Sequence, residues 1–274
     1  MKRSFSNSAL TNVLKNAGVL RSLYKILSGS ERLQKNKKNT QGLPHFTAAA
    51  SFALMEEHMK FSVMLEQLSS GMLKSMGIFF LTLIFSLPLG LLIAFGRMSK
   101  NKILRTVMKV YISVMRGTPL MLQLLVVYFG PFYLFGMKIG GSYRFLAIII
   151  GFALNYAAYF AEIYRSGIES MPQGQYEAAR VLGYSKAQCF CHIIFPQVVK
   201  RILPSITNEV ITLVKDTSLS FSLAYAEMFT IAKQIAASQT TFIPFVVAAI
   251  FYYVFNLVVA VAMETIEKKM SYYQ

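Results

Sequence analysis

Residues 75–96 read SMGIFFLTLIFSLPLGLLIAFG, which is 22 residues without a charged side chain, flanked by Lys74 and Arg97. The hydrocarbon core of a bilayer is about 30 Å thick, and a helix needs about 20 mainly apolar residues to cross it. The stretch is long enough and apolar enough for that crossing. It therefore predicts a transmembrane helix in an integral membrane protein.

The composition of the whole chain indicates the same class. Of its 274 residues, 55% are hydrophobic and 15% are charged, and the mean hydropathy is +0.48. Soluble globular domains carry about 25% charged residues. The formal net charge of +16 predicts an anionic partner, and the apolar runs favour the phospholipid of a bilayer over nucleic acid. The composition therefore argues against a soluble fold and against a nucleic-acid-binding protein.

Three further uncharged stretches are candidates for spans: residues 117–137, 145–161 and 243–263. A fifth candidate, residues 202–222, contains three charged residues. It is either a soluble amphipathic helix or a spanning helix with a polar inner face. These stretches predict an all-α membrane protein with about five transmembrane helices.

The distribution of basic residues favours all five spans. Positive charge is enriched in cytoplasmic loops. If all five stretches cross, the connecting segments and the C-terminal tail place twelve Lys/Arg on one side and three on the other. Without the fifth span, Lys268 and Lys269 would join the minority. We therefore expect an outside N-terminus and an inside C-terminus.

The N-terminal region does not fit this distribution. Residues 1–40 hold nine Lys/Arg, and two more precede the first span. Either a long tail is translocated with less regard for its charge, or translation starts later, at Met59 or Met64. We expect residues 1–60 to be a basic, disordered extension and residues 61–274 to be the transmembrane domain.

One predicted cytoplasmic segment has features of a docking element. It reads QYEAARVLG up to Gly183 and, nine residues later, IIFP up to Pro196. The small Ala178 and Ala179 allow another surface to approach closely, and Glu177 offers a charge beside them. Gly183 can end a helix with a positive φ, and a second helical piece is expected to start near the proline. The segment therefore predicts a short helix, a turn and another helix that could fit a groove on a partner.

Three motifs in this order resemble the ABC importer permease family. The Glu-Ala-Ala, Gly183 and IIFP spacing resembles the loop of these permeases that docks on the ATPase, with Phe195 where leucine is usual. The sequence MRGTPLMLQ, residues 115–123, resembles the signature of permeases for polar amino acids. The sequence TNEVITLVKDTSL, residues 207–219, resembles the fourth membrane segment of the same subfamily. The resemblance runs from about residue 61 to the C-terminus.

The resemblance implies a permease subunit of an ATP-driven amino-acid importer in the cell membrane of a prokaryote. In that family two permeases, identical or related, form the pathway. Two cytoplasmic ATPases would dock at residues 177–183, and an extracytoplasmic substrate-binding protein would deliver the amino acid. The chain has no Gly-x-x-x-x-Gly-Lys-Ser/Thr loop, so we expect no cofactor and no catalytic site of its own, with ATP used by the partner subunit.

Polar side chains on the predicted spans are candidates for the substrate pathway. An ionisable group in a membrane costs about 2.5–3.5 kcal/mol on insertion scales, so it is expected to face a cavity or a partner. Glu209, Thr212 and Asp216 share one helical face, and the two acids could accept hydrogen bonds from an ammonium group. The candidate donors for a carboxylate are Arg116, Thr118, Gln123 and Asn155.

Other interpretations of these residues stay open at this point. Glu209 could pair with Lys215 or Arg116 and serve only to hold helices together, and Glu162 with Arg165 is expected to be an ion pair at the membrane edge. The polar faces also suit an ATP-independent channel or scaffold. A metal site at the two cysteines and the histidine of residues 189–192 is not expected, because they lie too close in sequence to share one ion without strain.

Overall fold

The computed structural model describes residues 44–270, with side chains from residue 60 onward. The described part is helical throughout and contains no β-strand. The chain divides into two units, Met1–Phe61 and Ser62–Gln274. Most of the expected N-terminal extension lies outside the described residues. The first described helix begins at Pro44.

Eight helices make up most of the described chain. They are α1 (Pro44–Arg97), α2 (Lys102–Gly117), α3 (Leu120–Phe135), α4 (Gly141–Glu169), α5 (Gln173–Val181), α6 (Phe195–Asp216), α7 (Met228–Gln239) and α8 (Ile243–Met270). A single helical turn, Lys186–Gln188, and a π-helical stretch, Cys189–Ile194, lead into α6, and a 3₁₀ segment, Thr217–Leu223, follows it.

The expected number of spans agrees with the helices. Four helical segments are long and apolar enough to cross a membrane: Lys60–Arg97, Gly141–Glu169, Lys186–Leu223 and Ile243–Met270. The bent pair α2 and α3 is the fifth candidate. The stretch 202–222, which contains three charged residues, falls within the third of these segments. The predicted all-helical membrane fold is confirmed.

The second span differs from its predicted form. The uncharged stretch predicted for it starts at residue 117, but α2 already begins at Lys102, where Asn101 caps it by accepting hydrogen bonds from the amides of Ile103 and Leu104. The absence of charge could not be used to predict α2 as part of the span, because α2 is amphipathic and its basic residues offset its apolar face. The axes of α2 and α3 differ by 112°.

The bend between α2 and α3 lies at a proline. Pro119 has no amide hydrogen to continue a helix, and its ring disfavours the helical conformation in the preceding residue. Thr118 accordingly has an extended backbone, with φ −123° and ψ 149°. The predicted uncharged run 117–137 therefore starts at the bend and covers only α3.

Helix α4 is the most enclosed of the four continuous spans. In its most apolar stretch 67% of the residues are buried inside the chain, against 39% or less in the other three. The hydroxyl of Tyr111 on α2 donates to the carbonyl oxygen of Leu154 on α4 at 2.6 Å. A Cβ added at Gly151 of α4 would lie 2.7 Å from a methyl carbon of Leu124 on α3. Helix α4 therefore forms the centre of the unit, with both halves of the broken span packed on it.

The helix that carries IIFP begins earlier than predicted. We expected it to start near Pro196, but helical backbone resumes at Lys186, where the side chain of Ser185 accepts from the amide of Gln188 at 3.3 Å and the Gln188 side chain accepts from the Ser185 amide. The wider π-helical turn then precedes the proline. Proline crowds the carbonyl four residues before it, and a π turn is one way in which a helix absorbs such a disturbance.

Candidate functional site

The end of α5 has the geometry that the sequence predicted. Gly183 has φ +79°, a conformation that costs a residue with a Cβ roughly 1–2 kcal/mol. The amide of Gly183 donates to the carbonyl oxygen of Arg180, and the amide of Tyr184 donates to that of Ala179. This pair of hydrogen bonds is the Schellman arrangement that ends many helices. Gly183 therefore turns the chain sharply after nine residues of helix.

The two faces of α5 differ in what they contact. Ala179 is 1% exposed and packs inward, in a cluster with Met171, Cys189, Ile194, Val198 and Ile202. Glu177 and Ala178 are exposed. Val181 and Leu182, at the end of the helix, are 88% and 73% exposed. Of the two small residues, Ala178 is therefore available to a partner, whereas Ala179 serves the packing of α5 on its own chain.

The side chains around the π-helical stretch differ in burial. Burial raises the pKa of the Tyr176 phenol above its ordinary value of 10.0, and the Cys189 thiol contributes in the same direction, so Tyr176 stays neutral. Cys189 is buried, whereas Cys191 is exposed. Among the described residues, no group of three or more His, Cys, Asp or Glu side chains could hold a metal ion.

Three of the expected pathway residues meet at the bend between α2 and α3. The Nε2 of Gln123 donates to the Met115 carbonyl oxygen at 2.9 Å and to Thr118 Oγ1 at 2.8 Å. The Nδ2 of Asn155 on α4 donates to Gln123 Oε1 at 2.9 Å and to the same carbonyl at 3.1 Å. These bonds satisfy a carbonyl that the end of α2 leaves without a helical partner. Thr118, Gln123 and Asn155 therefore fasten the bend to α4.

Arg116 stands beside this bend and contacts an aromatic ring of α4. Its guanidinium carbon lies 5.2 Å from the centroid of the Tyr159 ring on α4, a distance at which cation and ring attract. The side chain is exposed. Within the part of the chain that the structure describes, neither Arg116 nor Lys215 lies within 4.0 Å of a carboxylate. The alternative of an ion pair to Glu209 is therefore not formed in this conformation.

The acidic face of α6 is arranged as its spacing predicted. Glu209 and Asp216 are half-buried, and Thr212 is exposed between them. The hydroxyl of Tyr156 on α4 donates to Asp216 Oδ2 at 2.7 Å. The Thr212 hydroxyl donates to the Asn208 carbonyl oxygen of its own helix at 2.9 Å. Asp216 is thus tied to α4, whereas Glu209 keeps its oxygens free of hydrogen bonds among the described residues.

The expected ion pair of Glu162 with Arg165 is present. The guanidinium of Arg165 bonds to the carboxylates of Glu162 and Glu169, one turn away on either side along α4. All three side chains keep part of their surface exposed. This confirms the expected pairing of Glu162 with Arg165 and assigns it to the surface of the helix.

One buried acid was missed by the sequence analysis. Glu227 is 0% exposed and accepts hydrogen bonds from the amides of Phe229 and Thr230 at 2.7 and 2.8 Å. The hydroxyls of Ser75 on α1 and Tyr252 on α8 also donate to it, at 3.3 and 3.1 Å. The available signal was an acid directly before a helix, where a side chain can cap free amides.

Taken together, the described chain has several helices able to span a membrane, polar side chains along two of them and an exposed loop with a charged outer face. This is the construction of a membrane transport subunit. Residues 86–272 match the family described as binding-protein-dependent transport system inner membrane component, and the chain belongs to that family.

Curated relatives agree with this assignment. A Rickettsia bellii protein, provisionally named as the glutamine transport system permease protein GlnP, is 36% identical over 219 residues, which cover 79% of this chain and 99% of the relative. The L-cystine transport system permease protein TcyB of Bacillus subtilis is 35% identical over 208 residues, which cover 75% of this chain and 87% of the relative.

Solved structures share the fold. An amino acid ABC transporter solved with histidines has 33% sequence identity and a TM-score of 0.70, with 77% of this chain and 97% of that chain covered. The MetNI methionine ABC transporter, at 18% identity and a TM-score of 0.62, covers 76% of this chain and supports the fold alone.

These similarities confirm the predicted class. The chain is a permease subunit of an ABC importer of the amino-acid subfamily and a multi-pass inner membrane protein. It is not itself an enzyme, because the subunits that it resembles are the membrane components of such importers. The alternative of an ATP-independent channel or scaffold does not fit membership of this family.

Proposed function

We propose that this permease, together with a second copy or a related permease, forms the path of an amino acid through the membrane. Separate cytoplasmic subunits would bind and hydrolyse the ATP, and a substrate-binding protein would deliver the amino acid from outside. Two observations support the substrate class: two curated relatives are named for glutamine and L-cystine transport, and a solved structure with 33% identity is an amino acid ABC transporter.

The proposed role in coupling to the ATPase is based on the exposed outer face of α5. Glu177 and Ala178 are exposed there, and Val181 and Leu182 leave apolar surface uncovered at the end of the helix. A charge beside exposed apolar side chains suits a groove on another protein, since the apolar groups gain from burial and the charge selects the partner. We infer that an ATPase subunit docks on this face.

The substrate path is inferred from α6 and the bend. Glu209 and Asp216 are half-buried acids on one face of a spanning segment and would accept hydrogen bonds from the ammonium group of an amino acid. Arg116 has no carboxylate within 4.0 Å among the described residues and would attract the carboxylate of the substrate. Thr118, Gln123 and Asn155 contribute by holding the bend in place, because their hydrogen bonds stay within the chain.

Charge reversal at Glu177 tests the coupling role. The complete transporter carrying Glu177→Arg is reconstituted in proteoliposomes, and both uptake of a labelled amino acid and ATP hydrolysis are measured. We expect uptake to fall about tenfold or more, since a lost charged hydrogen bond costs about 1.5–3 kcal/mol, and the stimulation of ATP hydrolysis to be lost.

The control for this experiment is Glu66→Arg, which changes an exposed glutamate of α1. It is expected to leave uptake and ATP hydrolysis near the values of the unchanged protein. Full uptake and full stimulation by the Glu177 variant would remove α5 from the coupling role. Competition by a panel of unlabelled amino acids in the same vesicles would identify the substrate.

A further inference from the structure

Arg201 of α6 is hydrogen-bonded to the residue that follows α4. The Nη1 of Arg201 donates to the carbonyl oxygen of Ser170 at 2.6 Å and to its Oγ at 3.0 Å. Ser170 directly follows α4, and the last carbonyls of a helix have no partner within it. A cation at this end is also attracted by the helix dipole. Arg201 therefore fixes the point at which the chain leaves α4 for α5.

The two helices approach closely next to this contact. A Cβ added at Gly167 of α4 would overlap the Cγ2 of Ile202 and would lie 3.3 Å from the Cγ1 of Val198 on α6. The Oγ of Ser170 donates to the Gly167 carbonyl oxygen at 2.7 Å. Because Gly167 has no side chain, Ile202 and Val198 of α6 pack directly against the backbone of α4 next to the arginine.

Helix α5 is also attached to α6. Gln197 of α6 donates from Nε2 to Oε1 of Gln175 on α5 at 3.4 Å. The same nitrogen donates to the carbonyl oxygen of Ile193, in the stretch that leads into α6, at 2.8 Å. The buried Ala179 of α5 and Val198 of α6 belong to one hydrophobic cluster. The proposed docking helix is therefore held on α6 at its start and along its inner face.

The position of Arg201 on α6 connects this attachment with the polar path. Glu209 lies eight residues further along the same helix, about 12 Å at a rise of 1.5 Å per residue, and Asp216 lies about 22 Å away. A displacement of α5 that is passed to α6 near Arg201 would therefore reach both acids through continuous helix.

We propose that Arg201 is a positioning residue for coupling, which holds the start of the α5 loop on α6 so that movement of the docked α5 displaces the helix that carries Glu209 and Asp216. The inference rests on the proposed docking of an ATPase at Glu177. Arg201 touches neither ATP nor substrate in this role; it acts through Ser170 and α5.

The test measures the number of substrate molecules taken up per ATP hydrolysed by the complete transporter in proteoliposomes. Arg201→Gln removes the charge and is expected to lower this ratio about tenfold, with the KM for the delivered substrate unchanged. Arg201→Lys keeps a cation and a donor and is expected to recover most of the ratio. Arg105→Gln, which changes an exposed arginine of α2, is the matched control and is expected to keep the ratio.

A second variant keeps the test decisive if Arg201→Gln does not assemble. Ser170→Ala removes the hydroxyl contacts to Arg201 and to the Gly167 carbonyl oxygen and leaves the carbonyl contact to Arg201. We therefore expect the ratio to fall about twofold to threefold. An unchanged ratio in the assembled Arg201→Gln variant, or in Ser170→Ala, overturns the inference. If Glu177→Arg uncouples the transporter while both of these variants keep the ratio, docking at α5 stands and only the role of Arg201 fails.

Discussion

At the scale of single residues, Asp216 of α6 is held by a hydrogen bond from Tyr156 of α4. The i, i+3, i+7 spacing correctly placed Glu209, Thr212 and Asp216 on one side of α6. It could not predict that Asp216 accepts a hydrogen bond from Tyr156, because the two residues are 60 positions apart and meet only when α4 packs on α6. The same limit applies to Glu227, whose donors come from three helices.

Asp216→Asn tests whether this carboxylate binds the substrate. Asparagine keeps the shape and an oxygen for Tyr156 but removes the negative charge. If Asp216 receives the ammonium group, the KM for uptake should rise at least about tenfold, since a hydrogen bond to a charged partner contributes about 1.5–3 kcal/mol. The measurement is initial uptake rate against substrate concentration in proteoliposomes.

Tyr156→Phe is the control for that variant. It removes the hydrogen bond to Asp216 and leaves the charge, so it separates the structural contact from the substrate contact. We expect it to change KM far less than Asp216→Asn does. Normal uptake kinetics in Asp216→Asn would show that this acid has a structural role only.

At the scale of the elements, apolar runs and helix ends were predictable where they depend on neighbouring residues. Gly183 ends α5 with a positive φ because the requirement is local. Helix α2 was missed because hydropathy sums its basic and apolar faces, although its cap at Asn101 is a local signal. The π-helical stretch before Pro196 was also missed, since it depends on how the chain enters α6.

Glu227→Gln tests how strongly α7 is fastened to its neighbours. Glutamine has one acceptor oxygen where the Glu227 carboxylate has two, so it cannot accept hydrogen bonds from all four partner residues. We expect the free energy of unfolding to fall by about 1–3 kcal/mol, measured by denaturant unfolding in detergent.

The matched change on the surface is Glu264→Gln. Glu264 pairs with Lys268 on α8, but both side chains are more than half exposed, and exposed pairs contribute about 0–1 kcal/mol. This variant should unfold close to the unchanged protein. Equal stability of the two variants would contradict the structural role of Glu227.

At the scale of the whole molecule, composition and charge distribution predicted the class and the number of spans. They could do so because lipid imposes one rule on every segment that crosses it, the internal satisfaction of backbone hydrogen bonds. The arrangement of the helices around α4 was not predictable, because it depends on close approaches such as that of Gly151 to Leu124, which join distant parts of the chain.

The central claim is that α6 crosses the bilayer, with its acids in the membrane and α5 at the cytoplasmic face. The direct test is labelling with a membrane-impermeant maleimide in intact cells and in inverted vesicles. The exposed native Cys191 precedes α6, and Gln239→Cys in a Cys191→Ser background places an exposed thiol beyond α6, at the end of α7. We predict that Cys191 reacts only in inverted vesicles and the thiol at position 239 only in intact cells. Reaction of both positions from the same side would contradict the account.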